Sequence, residues 1–431
     1  MKVISQIFRP EPQVLYLEPF FGCNYNCFFC IHGSGRKIQP VQLDPHLFGK
    51  LKPVIEKVNH IHMTGLGEPF LNPHLLDYLS YFRERGKSYY LNTNGSLIKD
   101  AHIDLMTTSR SELSVSLDAG DRETYEKMRH KSNWGNVMSR LSRVSQVKAE
   151  RKSPYPLLYL TFHINALNLM GLKQVPGLAR ELGVEAVKFS WTILPEGYKA
   201  HSIFRHQDAA NQVLHHVSAQ LQGAGIHVTT EALFGKHVRG CWNHGNMTFV
   251  GANGAVAACC SRWVAIGQLR ENSFQDIWNG MPRRQIALAV LNGAPEGLCR
   301  HCPQVLGVNY EANEEDYLKS EDLDTNIVAE KTKNIGKLPS LEGLDAGFRF
   351  GVTALAEGNL QGAVSTLSAL ETRFPDYFEI KNNLAVAFFY LGNREKCMEI
   401  LGTIKRVPHN PAILQSNLES AEQSRTHTST N

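Results

Sequence analysis

Three cysteines crowd one short stretch, Cys23-x3-Cys27-x2-Cys30. Three thiolates on one loop can hold three corners of a cubane iron–sulfur cluster. No fourth cysteine follows before Cys241, so one iron would stay open to a small molecule. The alternative is a zinc ion completed by a distant residue such as His32, although structural zinc more often uses paired Cys-x2-Cys halves. Cys241, Cys259, Cys260, Cys299 and Cys302 lie in one later stretch, and Cys397 stands alone. Nine cysteines in 431 residues are too few for a disulfide scaffold, and their clustering points to metal ligands.

Such ligands need a scaffold, and the first half of the chain alternates strand-like with helix-like runs. Residues 14–17, 60–63, 89–91, 113–117, 157–164 and 184–191 read as strands. Between them, apolar residues recur at helical spacing, as in Leu43, Leu47, Leu51, Val54 and Val58, or Val137, Leu141, Val144 and Val147. Six strand–helix units predict an α/β fold with a parallel sheet, curved or closed, and helices outside. In such barrels chemistry collects at the carboxyl ends of strands, and the cysteine triplet directly follows the first strand. A further amphipathic helix is expected near 207–225. With 42% hydrophobic and 20% charged residues the chain is globular. A net charge of +4 gives no case for nucleic-acid binding, and no apolar run is long enough for a membrane span. The first ten residues lack signal-peptide features, so a cytoplasmic protein is expected.

On its cysteine triplet and the position of that triplet, the sequence resembles the radical S-adenosylmethionine superfamily from residue 14 to about 195. The resemblance implies a partial (β/α)6 barrel in which Cys23, Cys27 and Cys30 bind a 4Fe-4S cluster. The methionine part of S-adenosylmethionine would chelate the open iron, and Phe29 would sit against the adenine. Gly65-Leu66-Gly67-Glu68-Pro69 resembles the family's GGEP motif, with Leu66 replacing the first glycine of the doublet. The motif implies that Gly67 and Glu68 receive the cofactor's ammonium group, since a backbone acceptor and a carboxylate suit a cation; a plain Gly-Pro turn is the alternative. Asn94, Ser116, Asp118 and Asn165, all at predicted strand ends, complete the implied cofactor-binding set. For Asn94, Asp118 and Asn165, turn formation and strand capping stand as alternatives. His62 and His163 are read as hydrogen-bonded barrel residues rather than bases.

Gly254, five residues before Cys259, then Ile266-Gly267-Gln268-Leu269 and the run to Trp278, resemble the SPASM/twitch extension of that superfamily, over 241 to about 305. A full SPASM module has more cysteines after the Cys299-x2-Cys302 pair, and here none occurs before Cys397. The implied form is therefore twitch, with an auxiliary 4Fe-4S cluster on Cys241, Cys259, Cys299 and Cys302; a zinc ribbon has the same ligand count. Four thiolates leave no open iron, which suits electron transfer. Cys260 has three readings: an exchangeable ligand, a packed small hydrophobe, or a thiol that returns a hydrogen atom to a substrate radical.

Near the C-terminus Gly358-Asn359-Leu360-Gln361-Gly362-Ala363 recurs as Gly392-Asn393-Arg394-Glu395-Lys396-Cys397. The 34-residue offset is the period of a tetratricopeptide (TPR) unit, two antiparallel helices each. Two units bury too little alone, so packing on a partner or a degenerate third unit after Pro411 is expected. The expected organisation is a radical SAM core (1–205), a linking helix with the auxiliary-cluster domain (206–310), an acidic linker (311–343), TPR-like repeats (344–422) and a disordered tail (423–431). The expected activity is that of an oxidoreductase or maturase: reductive cleavage of S-adenosylmethionine, removal of a substrate hydrogen atom, and oxidation through the auxiliary cluster. A peptide or protein substrate is favoured, a flavodoxin or ferredoxin is the implied electron donor, and the repeats would take a protein partner. The alternatives are a sugar or aminocyclitol dehydrogenase or epimerase, and a non-catalytic iron–sulfur or zinc scaffold.

Overall fold

The computed structural model describes residues 11–35, 37–192, 194–230, 246–260, 265–291, 344–375, 377–404 and 411–426. The six predicted strands form one parallel array. They are β1 (Val14–Leu17), β2 (His60–Met63), β3 (Ser88–Thr93), β4 (Ser111–Ser116), β5 (Leu157–Ile164) and β6 (Ala186–Trp191). Four further strands join the sheet: β7 (His227–Thr230), β8 (Met247–Val250), β9 (Ala255–Ala257) and β10 (Ala265–Gln268). The spatial order is β7-β6-β5-β4-β3-β2-β1-β8-β9-β10. β8 lies parallel to β1, with Val14 opposite Met247 and Leu17 opposite Val250. The cysteine-rich region thus continues the sheet of the core across the 205/206 boundary expected from sequence.

Strand periodicity explains the layering. Leu15, Leu17, Ile61, Met63, Tyr89 and Leu91 are wholly buried on one face. Their neighbours Tyr16, His62 and Tyr90 point the other way and are half-buried. Each fully buried aliphatic side chain contributes about 2 kcal/mol. The helices include α1 (Pro45–Ile55), α2 (Leu75–Glu84), α3 (Asp100–Thr107), α4 (Arg122–Met128), α5 (Trp134–Glu150), α6 (Val175–Glu181) and α7 (Gln207–Gly223). α1 starts on the Asp44 cap, whose carboxylate accepts from the Leu47 amide, with Pro45 at the first helical position. Its Leu47, Phe48, Leu51, Val54 and Ile55 join the apolar core of the sheet. α8 (Phe274–Asn279) and α9 (Met281–Leu291) follow β10.

A second core belongs to five helices: α10 (Leu344–Ala356), α11 (Leu360–Arg373), α12 (Phe378–Tyr390), α13 (Arg394–Gly402) and α14 (Pro411–Thr426). Leu344, Phe348, Leu367, Leu370, Phe374, Ile380 and Leu401 are buried in it. The sequence repeat has a physical counterpart here. Gly358 and Gly392 take φ of 77° and 81°, which ends one helix. Asn359 and Asn393 then cap the next, each side-chain oxygen accepting at 3.0 Å from the amide three residues on. α14 runs to Thr426, so residues 423–426, expected in the tail, are helical. The acidic linker and residues 427–431 lie outside the described residues.

Candidate functional site

Beyond the end of β1 the chain makes two short antiparallel pairings. Phe20–Phe21 pairs with Val41–Gln42, and Asn26–Cys27 with Arg129–His130 just past α4. These ladders hold the loop that carries Cys23, Cys27 and Cys30. Cys27 is buried and the other two are half-buried; none of the three is in a disulfide. Two of the thiols meet N–H groups. The Tyr25 amide lies 3.4 Å and Asn94 Nδ2 3.8 Å from Cys23 Sγ, and Arg129 Nη1 lies 3.7 Å from Cys27 Sγ.

Burial pushes the Cys23 thiol up to about 11 and that of Cys27 to about 12. Both are therefore protonated at neutral pH, and a metal must displace the protons on binding. The N–H donors and the guanidinium are then placed to stabilise the thiolates. Three cysteines on one loop with such partners fit an iron–sulfur cluster. A cleft of about 420 Å³, lined by Gly22, Cys23, Asn26, His32 and Gly33 among others, opens beside Cys23. His32, the fourth ligand of the zinc alternative, has Nε2 at 3.0 Å from the Leu66 carbonyl.

The segment after β2 packs directly on this loop. A Cβ at Gly67 would meet the Phe20 carbonyl oxygen at 1.9 Å and Gly22 backbone at 2.7 Å, so only glycine permits the approach. The Glu68 amide donates to the Gly22 carbonyl at 2.8 Å. The Glu68 side chain turns inward and is 2% exposed. One of its oxygens accepts from Thr93 Oγ1 at 2.7 Å and the Phe70 amide at 3.2 Å, and the other from the Asn94 amide at 2.8 Å. Burial raises it to about 6 against these bonds. Glu68 thus braces the ends of β2 and β3.

Asn94 Nδ2 also donates to Asn24 Oδ1 at 2.9 Å, and its Oδ1 accepts from Ser96 Oγ at 2.7 Å, so the β3 end and the cysteine loop form one network. Ser116 Oγ, at the end of β4, lies 3.2 Å from Asn92 Oδ1. Phe29 is half-buried, with its ring 6.0 Å from that of His163.

Asp118 and Asn165 are 0% exposed. Asp118 adopts φ of 58° and pairs with Arg129; it also accepts from the His163 amide at 2.7 Å and lies 3.0 Å from His163 Nδ1. Burial opposes its ionisation, but Arg129 and His163 outweigh burial and hold the carboxyl at about 2. Asn165 holds its turn, accepting from the Leu167 amide at 3.0 Å. Both side chains are thus engaged by the protein's own groups. Arg129, 5% exposed, is the site residue that sequence reading passed over. Its only sequence signal was its place at the end of the helix after Asp118.

Of the auxiliary set, Cys259 is described, while Cys241, Cys299 and Cys302 lie outside the described residues. β9 runs antiparallel to β8, with Ala257 opposite Phe249. Cys259 lies in a bend two residues past the end of β9, on the side of the amino-terminal edge of β8. The triplet lies beyond the carboxyl edge of the parallel strands, so it and Cys259 follow opposite strand ends. Between them runs the half-open polar face, where Tyr16 stacks on His62 at 4.4 Å and His62 lies 5.0 Å from Tyr90. Burial, with nearby Cys260 and Tyr90, pushes the Tyr16 hydroxyl up to about 12, so Cys260 neighbours this face. Burial and His60 hold His62 down at about 3, which keeps it neutral.

A family profile described as "Radical SAM superfamily" matches residues 17–160, and the SPASM profile, "Iron-sulfur cluster-binding domain", matches 241–303. The AdoMet-dependent heme synthase of Methanosarcina barkeri is 25% identical over 297 residues, 62% of this chain and 82% of that protein. A probable GTP 3',8-cyclase of Metallosphaera sedula is 25% identical over 167 residues, 38% of this chain, and the match spans half of that relative's length. Among solved structures, Streptococcus suis SuiB bound to precursor peptide SuiA superposes with a TM-score of 0.51 at 14% identity, covering 64% of this chain and 66% of SuiB. anSMEcpe with bound AdoMet gives 0.53 at 15% identity, covering 76% and 96%. These likenesses show a shared fold.

Proposed function

We propose that this radical SAM enzyme with a SPASM domain carries out an oxidative modification of a peptide or protein substrate on the polar open face of its sheet. The observation that carries this reading is the loop of Cys23, Cys27 and Cys30, backed by N–H groups from Tyr25, Asn94 and Arg129. A 4Fe-4S cluster held there would supply the electron that splits S-adenosylmethionine into methionine and a 5′-deoxyadenosyl radical. Gly67 keeps the β2 loop against the cysteine loop, Asn94 and Ser116 offer polar groups at the strand ends, and Phe29 offers a ring for the adenine. The fold around them is the partial (β/α)6 barrel.

Cys259 with Cys241, Cys299 and Cys302 would hold a fully ligated auxiliary cluster of the shorter twitch type. The place of Cys259, past the strand end opposite the triplet, would suit a role as electron acceptor, with substrate lying along Tyr16, His62 and Tyr90 between the two. The peptide reading draws on SuiB, solved with a precursor peptide. The five C-terminal helices, with their glycine–asparagine cap repeated at 34 residues, suit a TPR-like module for a protein partner. Electrons would come from a flavodoxin or ferredoxin.

The test is anaerobic reconstitution and reduction of the full chain with S-adenosylmethionine. We expect 5′-deoxyadenosine and about eight irons per chain from the two ligand sets. A zinc-loaded chain that forms no 5′-deoxyadenosine would overturn the reading.

A further inference from the structure

Arg129 is 5% exposed, so its charge needs partners within the protein. A buried ion pair contributes little net stability over well-packed apolar residues. Arg129 nevertheless sits opposite Cys27 in the short ladder and is held on two sides. Nη1 donates to Cys27 Sγ at 3.7 Å, and Nη2 donates to the Asp118 carboxylate. Its Nε is buried with no hydrogen-bond partner among the described residues. Asp118 is fixed in turn by the His163 amide at 2.7 Å and, through its carbonyl, by Asn168 Nδ2 at 2.8 Å. The guanidinium lies 5.8 Å from the centre of the Phe29 ring. Of the other buried carboxylates nearby, Glu68 is engaged by Thr93, Phe70 and Asn94, and Glu18 by the Leu66 amide.

We infer that Arg129 and Asp118 are positioning residues that set the reduction potential of the N-terminal cluster through Cys27. The inference rests on the proposed reading that Cys23, Cys27 and Cys30 hold that cluster. Reduction adds one negative charge to it. In a dry site a cation donating to the ligand sulfur favours the reduced form, and a nearby anion disfavours it. Arg129 touches the sulfur directly and Asp118 acts from behind it, so the two should pull in opposite directions.

The test is an EPR-monitored redox titration of the reconstituted full chain, read on the signal that S-adenosylmethionine perturbs. Arg129→Gln should shift the couple at least tenfold toward the oxidised cluster, which is about 59 mV for one electron. Asp118→Asn should shift it the other way, and Arg129→Lys, which keeps the charge, should shift it least. Shifts of the same sign in Arg129→Gln and Asp118→Asn, or no shift in either, would overturn the inference. If Arg129→Gln fails to retain iron, Asp118→Asn and Arg129→Lys decide: no rise in the former, or a tenfold shift in the latter, overturns it. A wild-type chain with no such signal would instead defeat the cluster assignment itself.

Discussion

Cys23, Cys27 and Cys30 share one short loop, and their neighbours come from the next strands of the same array: Asn94 from the end of β3, Arg129 from beyond α4. Cys259 closes the second strand of a hairpin at the other end of the sheet, and its expected co-ligands lie many residues away on both sides. The first set is local in sequence and completed by a few tertiary contacts. The second, as proposed, draws on cysteines spread from 241 to 302, of which Cys259 is the one described. The difference matches the two proposed tasks. A site that must admit a small molecule can be built on one loop with an open position, whereas a sealed redox site needs ligands from all sides.

The sharpest way to break this comparison is to delete one cysteine from each end. Cys27→Ala should reduce 5′-deoxyadenosine formation to the assay background, while Cys259→Ala should retain it and lose about four irons per chain. Equal loss in both would mean that the ends do not act separately. Asn94→Ala removes a donor to Cys23 and the bonds to Asn24 and Ser96, so iron retention against a chelator should weaken by about 10- to 100-fold. Unchanged retention would reduce Asn94 to a turn residue.

Acid should distinguish the ends more gently. Asp118 is held at about 2, below the ordinary aspartate value of 3.8, because Arg129 and His163 overcome its burial. The pair's stabilisation is complete above pH 4 and is lost as pH falls through 2, a loss of about 2 kcal/mol in urea melts that Asp118→Asn should not show. The smallest effect belongs to Cys260→Ala, which should leave 5′-deoxyadenosine formation unchanged. If Cys260 donates a hydrogen atom to the substrate radical, solvent deuterium in the product should disappear in that variant.

Much of the core was legible because each strand alternates and each helix repeats. The limits read from sequence for β1, β2 and β5 match the observed strands, and the remaining three differ by a few residues. The docking of β8 was not legible. Met247-Thr248-Phe249-Val250 reads like any short strand, and nothing local to it says that its parallel neighbour is Val14–Leu17. Within the site, the cysteine loop and Gly67 stood out by spacing and motif. The roles of Asp118 and Asn165 did not, because a polar residue at a strand end looks the same whether it faces a ligand or braces a turn. Arg129 was hidden for the converse reason, since an arginine closing a short helix normally faces water.

The amino-acid sequence by itself determined the cysteine triplet, the order of strands and helices, and the repeated glycine–asparagine caps. Each depends on residues within a few turns of one another, where spacing alone sets geometry. Only the tertiary structure decided that β8 docks beside β1, that Glu68 and Asp118 turn inward, and that a buried guanidinium rests on Cys27. Those outcomes depend on which distant segments exclude water together, a property that short-range pattern does not carry.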